Sequence, residues 1–270
     1  MSLWLNGKLV PDELARLDPR DRGFTLGDGL FETIRMEDRW IAYLERHLAR
    51  LREGAEFLGI PLHWSDAEIE TGLNALVAAE GRADAAFRIT LSRGPGERGI
   101  APPAVPVPTL MMTIGPLPPA GPPSNLVIAT ITRRNEASPL SRLKTLNYLD
   151  NILARREALS RGADEALLLN TRGTLAEATI ANLFVLGDGV LKTPPVADGA
   201  LPGIMRRALI ERCGAVEASL KQGDLMAATA VFLSNSLGLK PVASVDGLPV
   251  GDGRSAAAVA RLARIVLTAE

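Results

Sequence analysis

Residues 115–124 read GPLPPAGPPS, five prolines in ten positions. Proline removes a backbone donor and fixes φ, so neither a helix nor a central strand runs through such a segment. The stretch therefore reads as a linker, 115–124, between an N-terminal α/β domain, 1–114, and a larger C-terminal domain, 125–270. At roughly 100–200 residues per domain, a chain of 270 residues, 47% of them hydrophobic, has material for two cores.

Upstream of the linker, Leu3 to Leu5 and Leu9-Val10 flank Asn6-Gly7, a pair that accepts the positive φ of a tight hairpin. Leu30 to Met36 and Trp40-Ile41 form a second strand pair across Glu37-Asp38. From Tyr43 to Leu58 the residues Leu44, Leu48, Leu51, Ala55 and Leu58 recur at helical spacing. Ser65 with Glu68 is a capping box that opens a second helix, running to about Glu80. Ala86 to Leu91 and Thr109 to Ile114 read as strands.

Downstream, the pattern predicts a strand from Leu126 to Ile131, a helix from about Leu146 to Ser160 and a strand from Glu165 to Leu169. A turn at Asn170 to Gly173 leads to strands from Asn182 to Leu186 and Val190 to Thr193. A helix from about Gly203 to Cys213, a strand from Ala230 to Ser234 and a helix from Ser255 to Leu267 close the chain. The fold class is α+β with two domains.

Composition narrows the function. With 30 basic and 31 acidic residues, net charge −1, no footprint for nucleic acid or an anionic membrane is expected. No apolar run approaches the ~20 residues of a membrane span, so a cytoplasmic location is the expectation. Cys213 is the only cysteine, which excludes an internal disulfide and a cysteine-based zinc site. His47 and His63 are the only histidines and read as structural or surface residues, so no metal site is expected.

Lysine is scarce, at positions 8, 144, 192, 221 and 240. Lys144 stands in PLSRLKTLNYLDN ahead of Leu146, Leu149 and Leu153. A lysine among leucines commonly snorkels to water; a buried one loses basicity and becomes a nucleophile and general base. Glu177, in LAEATIANLFVL, is a turn carboxylate or an acid at the mouth of a strand. Pro202-Gly203 begins a helix, and unpaired N–H groups there favour anions. Arg50 on the polar side of the first helix and Ser236 after the Phe232 strand add donors. Singly, each has a commoner structural role. Together, an amine, an acid and an anion cradle are what a pyridoxal 5'-phosphate enzyme requires.

The order of the motifs resembles the class IV (fold type IV) pyridoxal-phosphate enzymes: branched-chain aminotransferases, D-amino-acid aminotransferases and aminodeoxychorismate lyases. The resemblance runs through DRGFTLGDGLFETIR (21–35), ERHLARL (45–51), SRGPGERG (92–99), LKTLNYLDN (143–151) and GADEALLLN (162–170). It continues through EATIANLF (177–184), LPGIMR (201–206) and FLSNSL (232–237). It implies that Lys144 joins the cofactor covalently and that Glu177 pairs with the pyridine nitrogen. Arg50, the Gly203-Ile204 helix start through the Ile204 amide, and Ser236 would hold the phosphate, and Leu201 would pack on the ring. A small N-terminal α/β domain, a larger C-terminal pseudo-barrel domain and a homodimer are implied as well.

Among these enzymes FLSNSLGLKPV, GDGLFETIR and SRGPGERG look most like the lyases, although the chain is one residue short between Leu237 and Pro241. D-amino-acid aminotransferases carry tyrosine at the position of Phe31 and Arg-x-His where Arg98-Gly99-Ile100 stands; branched-chain enzymes carry glycine at Thr33. The expected reaction is cleavage of 4-amino-4-deoxychorismate to 4-aminobenzoate and pyruvate. The alternative is transamination between a D-amino or branched-chain amino acid and a 2-oxo acid. Phe31, Thr33, Arg98 and Asn235 are the candidate substrate contacts. A binding protein that kept the fold and lost the chemistry is the third reading.

Overall fold

The computed structural model describes residues 2–252 and 255–268. Residues 1, 253–254 and 269–270, assigned above to the two domains, lie outside the described residues. The chain separates into two compact units, Met1–Pro118 with Lys144–Asn147, and Pro119–Leu143 with Tyr148–Glu270.

The first unit contains β1 (Ser2–Leu5), β2 (Lys8–Pro11), α1 (Arg22–Leu26), β3 (Gly29–Glu37), β4 (Trp40–Ile41), α2 (Leu44–Leu58), α3 (Asp66–Glu80), β5 (Ala85–Ser92) and β6 (Thr109–Gly115). Its six strands pair antiparallel in the order β2-β1-β6-β5-β3-β4. Strand side chains alternate between faces, and β3 shows the consequence. Leu30, Glu32, Ile34 and Met36 are buried, as are Ile89, Phe87 and Ala85 opposite three of them on β5. This face is covered by α2, whose inner residues are His47, Leu48, Leu51, Gly54 and Ala55. A Cβ at Gly54 would lie 2.9 Å from Leu30 Cδ1, so the glycine lets α2 approach β3 closely. The opposite face carries Phe31 and Thr33, with Arg88 exposed across from Thr33. The capping box on α3 is present as read: Ser65 accepts from Glu68 N, and Glu68 accepts from Ser65 N.

The second unit contains β7 (Ser124–Ile128), α4 (Leu149–Ser160), β8 (Glu165–Leu169), β9 (Leu175–Ala178), β10 (Asn182–Gly187), β11 (Val190–Thr193), α5 (Ile204–Cys213), β12 (Val216–Glu217), α6 (Gln222–Met226), β13 (Ala230–Asn235), β14 (Gly238–Val245), β15 (Leu248–Pro249) and α7 (Ser255–Val266). The sheet runs β12-β11-β10-β13-β14-β7-β8-β9, with β15 on β14, and mixes parallel and antiparallel pairs. Every residue of β8 is buried, as befits a strand covered on both faces. Leu167 and Leu169 enter the main core with Leu175, Leu183 and Val231, while Ala166 and Leu168 pack with Ala154 and Ala158 of α4. No helix among the described residues is long and apolar enough to cross a membrane.

Three readings of local structure need correction. The helix after Lys144 begins at Leu149 rather than Leu146. The backbone of 144–146 is taken by β3: Phe31 N donates to Lys144 O, and Leu146 N donates to Gly29 O. The buried residues of α4 are Asn151, Ala154 and Ala158, while Leu149 and Leu153 are exposed. The first strand after the linker stops at Ile128 instead of Ile131, because the carboxylate of Glu157 accepts the Thr130 and Ile131 amides. Finally, β9 is a strand where the sequence pattern shows none. It is four residues long, and Ala-Glu-Ala has little intrinsic strand preference. Its pairing places Glu177 opposite Leu168.

Candidate active site

In the first unit the candidate residues gather around β3. Lys144 is locked to that strand by the two backbone bonds above, and its Nζ lies 4.4 Å from the centroid of the Phe31 ring. The guanidinium carbon of Arg88 lies 3.9 Å from the same centroid. Phe31 is thus an aromatic platform that draws cations to its π-system. Sequence reasoning missed Arg88. The signal for it is the alternation of β5, which places a charged residue, opposite Thr33, on the less buried face.

On the other face of β3 stands a group that sequence reasoning also missed. Glu32 is 1% exposed. Arg50 Nε donates to its Oε1 at 2.8 Å, and Arg50 Nη2 donates to Oε2 at 2.7 Å. His47 Nδ1 lies 2.7 Å from Oε2. Burial pushes the Glu32 carboxyl upward, but the Arg50 charge and the bonds from His47 and Arg50 outweigh it and hold the group at about 2. Burial also pulls the His47 imidazole down against the pull of Glu32. A neutral His47 must therefore donate Nδ1–H, since an ionised carboxylate only accepts. Arg50 consequently lies against the sheet rather than on the solvated side of α2. The sequence carried a hint: Glu32 interrupts the buried series Leu30, Ile34, Met36, and His47 and Arg50 share a face of α2 at three-residue spacing.

Arg98 stands exposed in the loop after β5. The Arg22 guanidinium fastens this loop by donating to the carbonyls of Gly99, Ile100 and Ala101. Thr33 is half-buried on β3 beside Phe31.

In the second unit Glu177 is the focus. Its Oε1 pairs with Arg134 at 3.0 Å, and its Oε2 accepts from Leu201 N at 2.9 Å and Asn182 Nδ2 at 3.3 Å. Leu201 thus meets Glu177 through its backbone, while its side chain is half-buried. Arg134 also donates to the carbonyls of Gly199 and Ser141. Neither Arg134 nor Asn182 stands out in the sequence, where Arg134 looks no different from its neighbour Arg133.

Two residues beyond Leu201, Gly203 caps α5 without a side-chain cap bond, and the first turn of α5 holds no acidic residue. The Ile204 amide therefore belongs to a helix start that its own side chains leave positive. A Cβ at Gly203 would fall 2.1 Å from Asn182 Oδ1, so only glycine allows this approach. Asn235 ends β13 and Ser236 with Leu237 forms the two-residue turn into β14. Asn235 Oδ1 accepts from Leu237 N, and its Nδ2 donates to Ile180 O. Ser236 is half-buried in that turn.

These donor sets suit pyridoxal phosphate. One unit offers a lysine amine beside an aromatic ring and an arginine held in a fork. The other offers a buried carboxylate fixed by three donors, a helix start and a hydroxyl turn. Among the described residues, no group of three or more His, Cys, Asp or Glu side chains is placed to hold a metal ion.

Comparison with known proteins agrees. The amino-transferase class IV family matches residues 29–245. A Methanocaldococcus jannaschii protein provisionally named a branched-chain-amino-acid aminotransferase is 34% identical over 255 residues, 92% of this chain and 88% of that protein. The 4-amino-4-deoxychorismate lyase of Pseudomonas aeruginosa is 36% identical, with TM-score 0.79, covering 93% of this chain and 94% of that one. The branched-chain amino acid aminotransferase of Escherichia coli has TM-score 0.91 at 28% identity, covering 97% of this chain and 91% of that one. Solved branched-chain aminotransferases of the same fold include one with pyridoxamine 5'-phosphate. The two-sheet mixed α/β architecture is that of the fold type IV enzymes, as the sequence led us to expect. The chain belongs to the class IV aminotransferases and is a pyridoxal-phosphate-dependent enzyme.

Proposed function

We propose that the enzyme is an aminodeoxychorismate lyase, converting 4-amino-4-deoxychorismate to 4-aminobenzoate and pyruvate. The observation that carries this reading is the β13–β14 hairpin. Asn235-Ser236-Leu237 is the segment in which the chain most resembles the lyases, and here it forms a turn with both ends of the Asn235 amide engaged. The 36% identity to the Pseudomonas aeruginosa lyase supports the same choice.

When bound, pyridoxal phosphate supplies an aldehyde that condenses with amines and a ring that accepts electrons. Lys144 is the covalent attachment point. Its Nζ would take the proton from the amine-bearing carbon of the substrate, which divides into pyruvate and aromatic 4-aminobenzoate. Glu177 makes a charge-assisted bond to the pyridine N–H, and Leu201 packs on the ring. Arg50, the Gly203-Ile204 helix start and Ser236 hold the phosphate. Phe31, Thr33, Arg98 and Asn235 contact the substrate, and Arg88, over Phe31, adds a cation for a carboxylate. That the chain acts as a homodimer is what its resemblance to the class IV enzymes implies.

A transaminase is the second reading, favoured by the TM-score of 0.91 to the Escherichia coli aminotransferase. There Lys144 Nζ would move the same proton without loss of pyruvate, and water would supply the oxygen of the departing 2-oxo acid while the amino group stayed with the cofactor. Incubation with 4-amino-4-deoxychorismate distinguishes the two. The lyase releases equimolar pyruvate and 4-aminobenzoate. Failure to release pyruvate, with D-alanine, D-glutamate or L-leucine converting the cofactor to its pyridoxamine form, establishes the transaminase. Borohydride reduction and peptide mapping test the attachment point, and label on any lysine other than Lys144 overturns it.

A further inference from the structure

We propose that Glu32 is a positioning residue that aims the Arg50 guanidinium and thereby sets the grip on the cofactor's phosphate. The inference rests on the reading of Arg50 as a phosphate ligand and extends it to a residue that makes no phosphate contact of its own.

Taking a carboxylate out of water is costly unless it is well paired, yet Glu32 occupies a slot whose neighbours on the same face of the strand are Leu30, Ile34 and Met36. An apolar residue would serve packing there equally well. What Glu32 adds is geometry. Its two oxygens engage Nε and Nη2 of Arg50 at 2.8 and 2.7 Å, a two-point fork that fixes the guanidinium's plane and rotation. His47 Nδ1, 2.7 Å from Oε2, fixes the carboxylate in turn. The ordering runs from the helix through His47 to Glu32 and back to Arg50. The pair takes two of the five guanidinium donors and sets the direction of the others. Arginine otherwise loses much rotamer freedom when it is immobilised by a ligand, and a fork formed beforehand removes part of that loss.

A second effect has the opposite sign. The negative charge of Glu32 offsets the charge of Arg50 and repels a phosphate dianion. If charge dominated, neutralising Glu32 would tighten cofactor binding; if aim dominates, it loosens it. We infer the second, because the fork is short at both points and His47 fixes its base.

The test compares apoenzyme affinity for pyridoxal 5'-phosphate with that for pyridoxal, which lacks the phosphate, by absorbance titration. Arg50→Ala should abolish most of the preference for the phosphorylated form. Glu32→Gln should reduce the preference about tenfold, the scale of one weakened charge-assisted bond, with pyridoxal affinity unchanged. In an Arg50→Ala background, Glu32→Gln should reduce it no further. If Arg50→Ala leaves the preference intact, the assignment of Arg50 fails and the inference falls with it. If Arg50→Ala reduces it but Glu32→Gln leaves or raises it, only the inference is overturned. Equal weakening of both ligands by Glu32→Gln also overturns it, because that is what general loosening produces. Should Glu32→Gln not fold, Glu32→Asp decides: it keeps the charge but withdraws the fork, so a reduced preference supports aim and an unchanged one refutes it.

Discussion

Each unit holds a carboxylate paired with a guanidinium, and the two pairs are assigned in opposite order. In the first, Arg50 faces the cofactor in our reading and the carboxylate of Glu32 stands behind it, 1% exposed. In the second, our proposal turns Glu177 toward the cofactor, with Arg134 behind it, tied also to the carbonyls of Gly199 and Ser141. The pairing chemistry is common to both. What differs in the proposal is which partner is assigned to the ligand, and the backbone setting differs with it: a strand's buried face in one case, a strand end beside a helix start in the other.

The comparison breaks first at Glu177. Glu177→Gln should lower turnover by about 10²–10³, the usual scale for losing one charge-stabilising group, with cofactor affinity nearly unchanged. A steady-state assay at saturating cofactor measures it; a loss confined to affinity would mean the two pairs do the same job. Arg50→Ala should do the reverse. Cofactor affinity should weaken about 10- to 100-fold, as for a hydrogen bond to a charged group, while turnover at saturation stays within a few-fold.

A smaller effect is expected for the supporting cation of the second pair. Arg134→Ala should cut turnover about tenfold, since Leu201 N and Asn182 still hold one oxygen of Glu177. Arg134→Lys should recover part of it as a point charge without the three-way reach. Retention of full activity by Arg134→Ala would show that the second pair needs no support.

The smallest expected effect is on stability against pH. Glu32 has its folded-state value lowered to about 2, so between that value and its ordinary range near 4.5 the unfolded chain binds more protons. Stability from this group is complete above the ordinary range and is lost as pH falls toward 2. His47 is lowered too, so the unfolded chain also binds more protons below about 6.5. Both groups therefore destabilise the fold on acidification, His47 first. Melting temperatures from pH 7 to 3 should fall in wild type and fall less steeply below pH 4.5 in Glu32→Gln, where Asp28 and the other paired carboxylates still titrate. A parallel curve would remove Glu32 from the account.

How much of this was legible depended on whether a residue's neighbours along the chain are also its neighbours in space. The hairpin at Asn6-Gly7, the capping box of Ser65 and Glu68 and the α2 stripe are local, and the structure repeats them. Lys144 and Glu177 stand out because their flanking motifs are distinctive, but their local structure differs from the sequence pattern. Residues 144–146 bond to a strand more than a hundred positions earlier, and no helical or strand periodicity registers that. Arg134 is invisible in the sequence because it lies beside Arg133 in an irregular stretch, and only contact with Glu177 separates them. Glu32 is the intermediate case. Its charge in a buried alternation was readable, but its partners became evident only once α2 lay on the sheet.

The bond between 144–146 and β3 has a bearing on biosynthesis. Translation delivers residues 2–118 long before Lys144 leaves the ribosome, so the nascent N-terminal sheet waits with Gly29–Phe31 unmatched along one border. Such a border recruits other strands, which makes an early-terminated polypeptide prone to self-association and gives the full-length product an incentive to fold promptly. With Lys144 as the proposed attachment point, the amine is thus put in place by the same event that seals the border, and a molecule that has not finished its first sheet has not yet armed that chemistry.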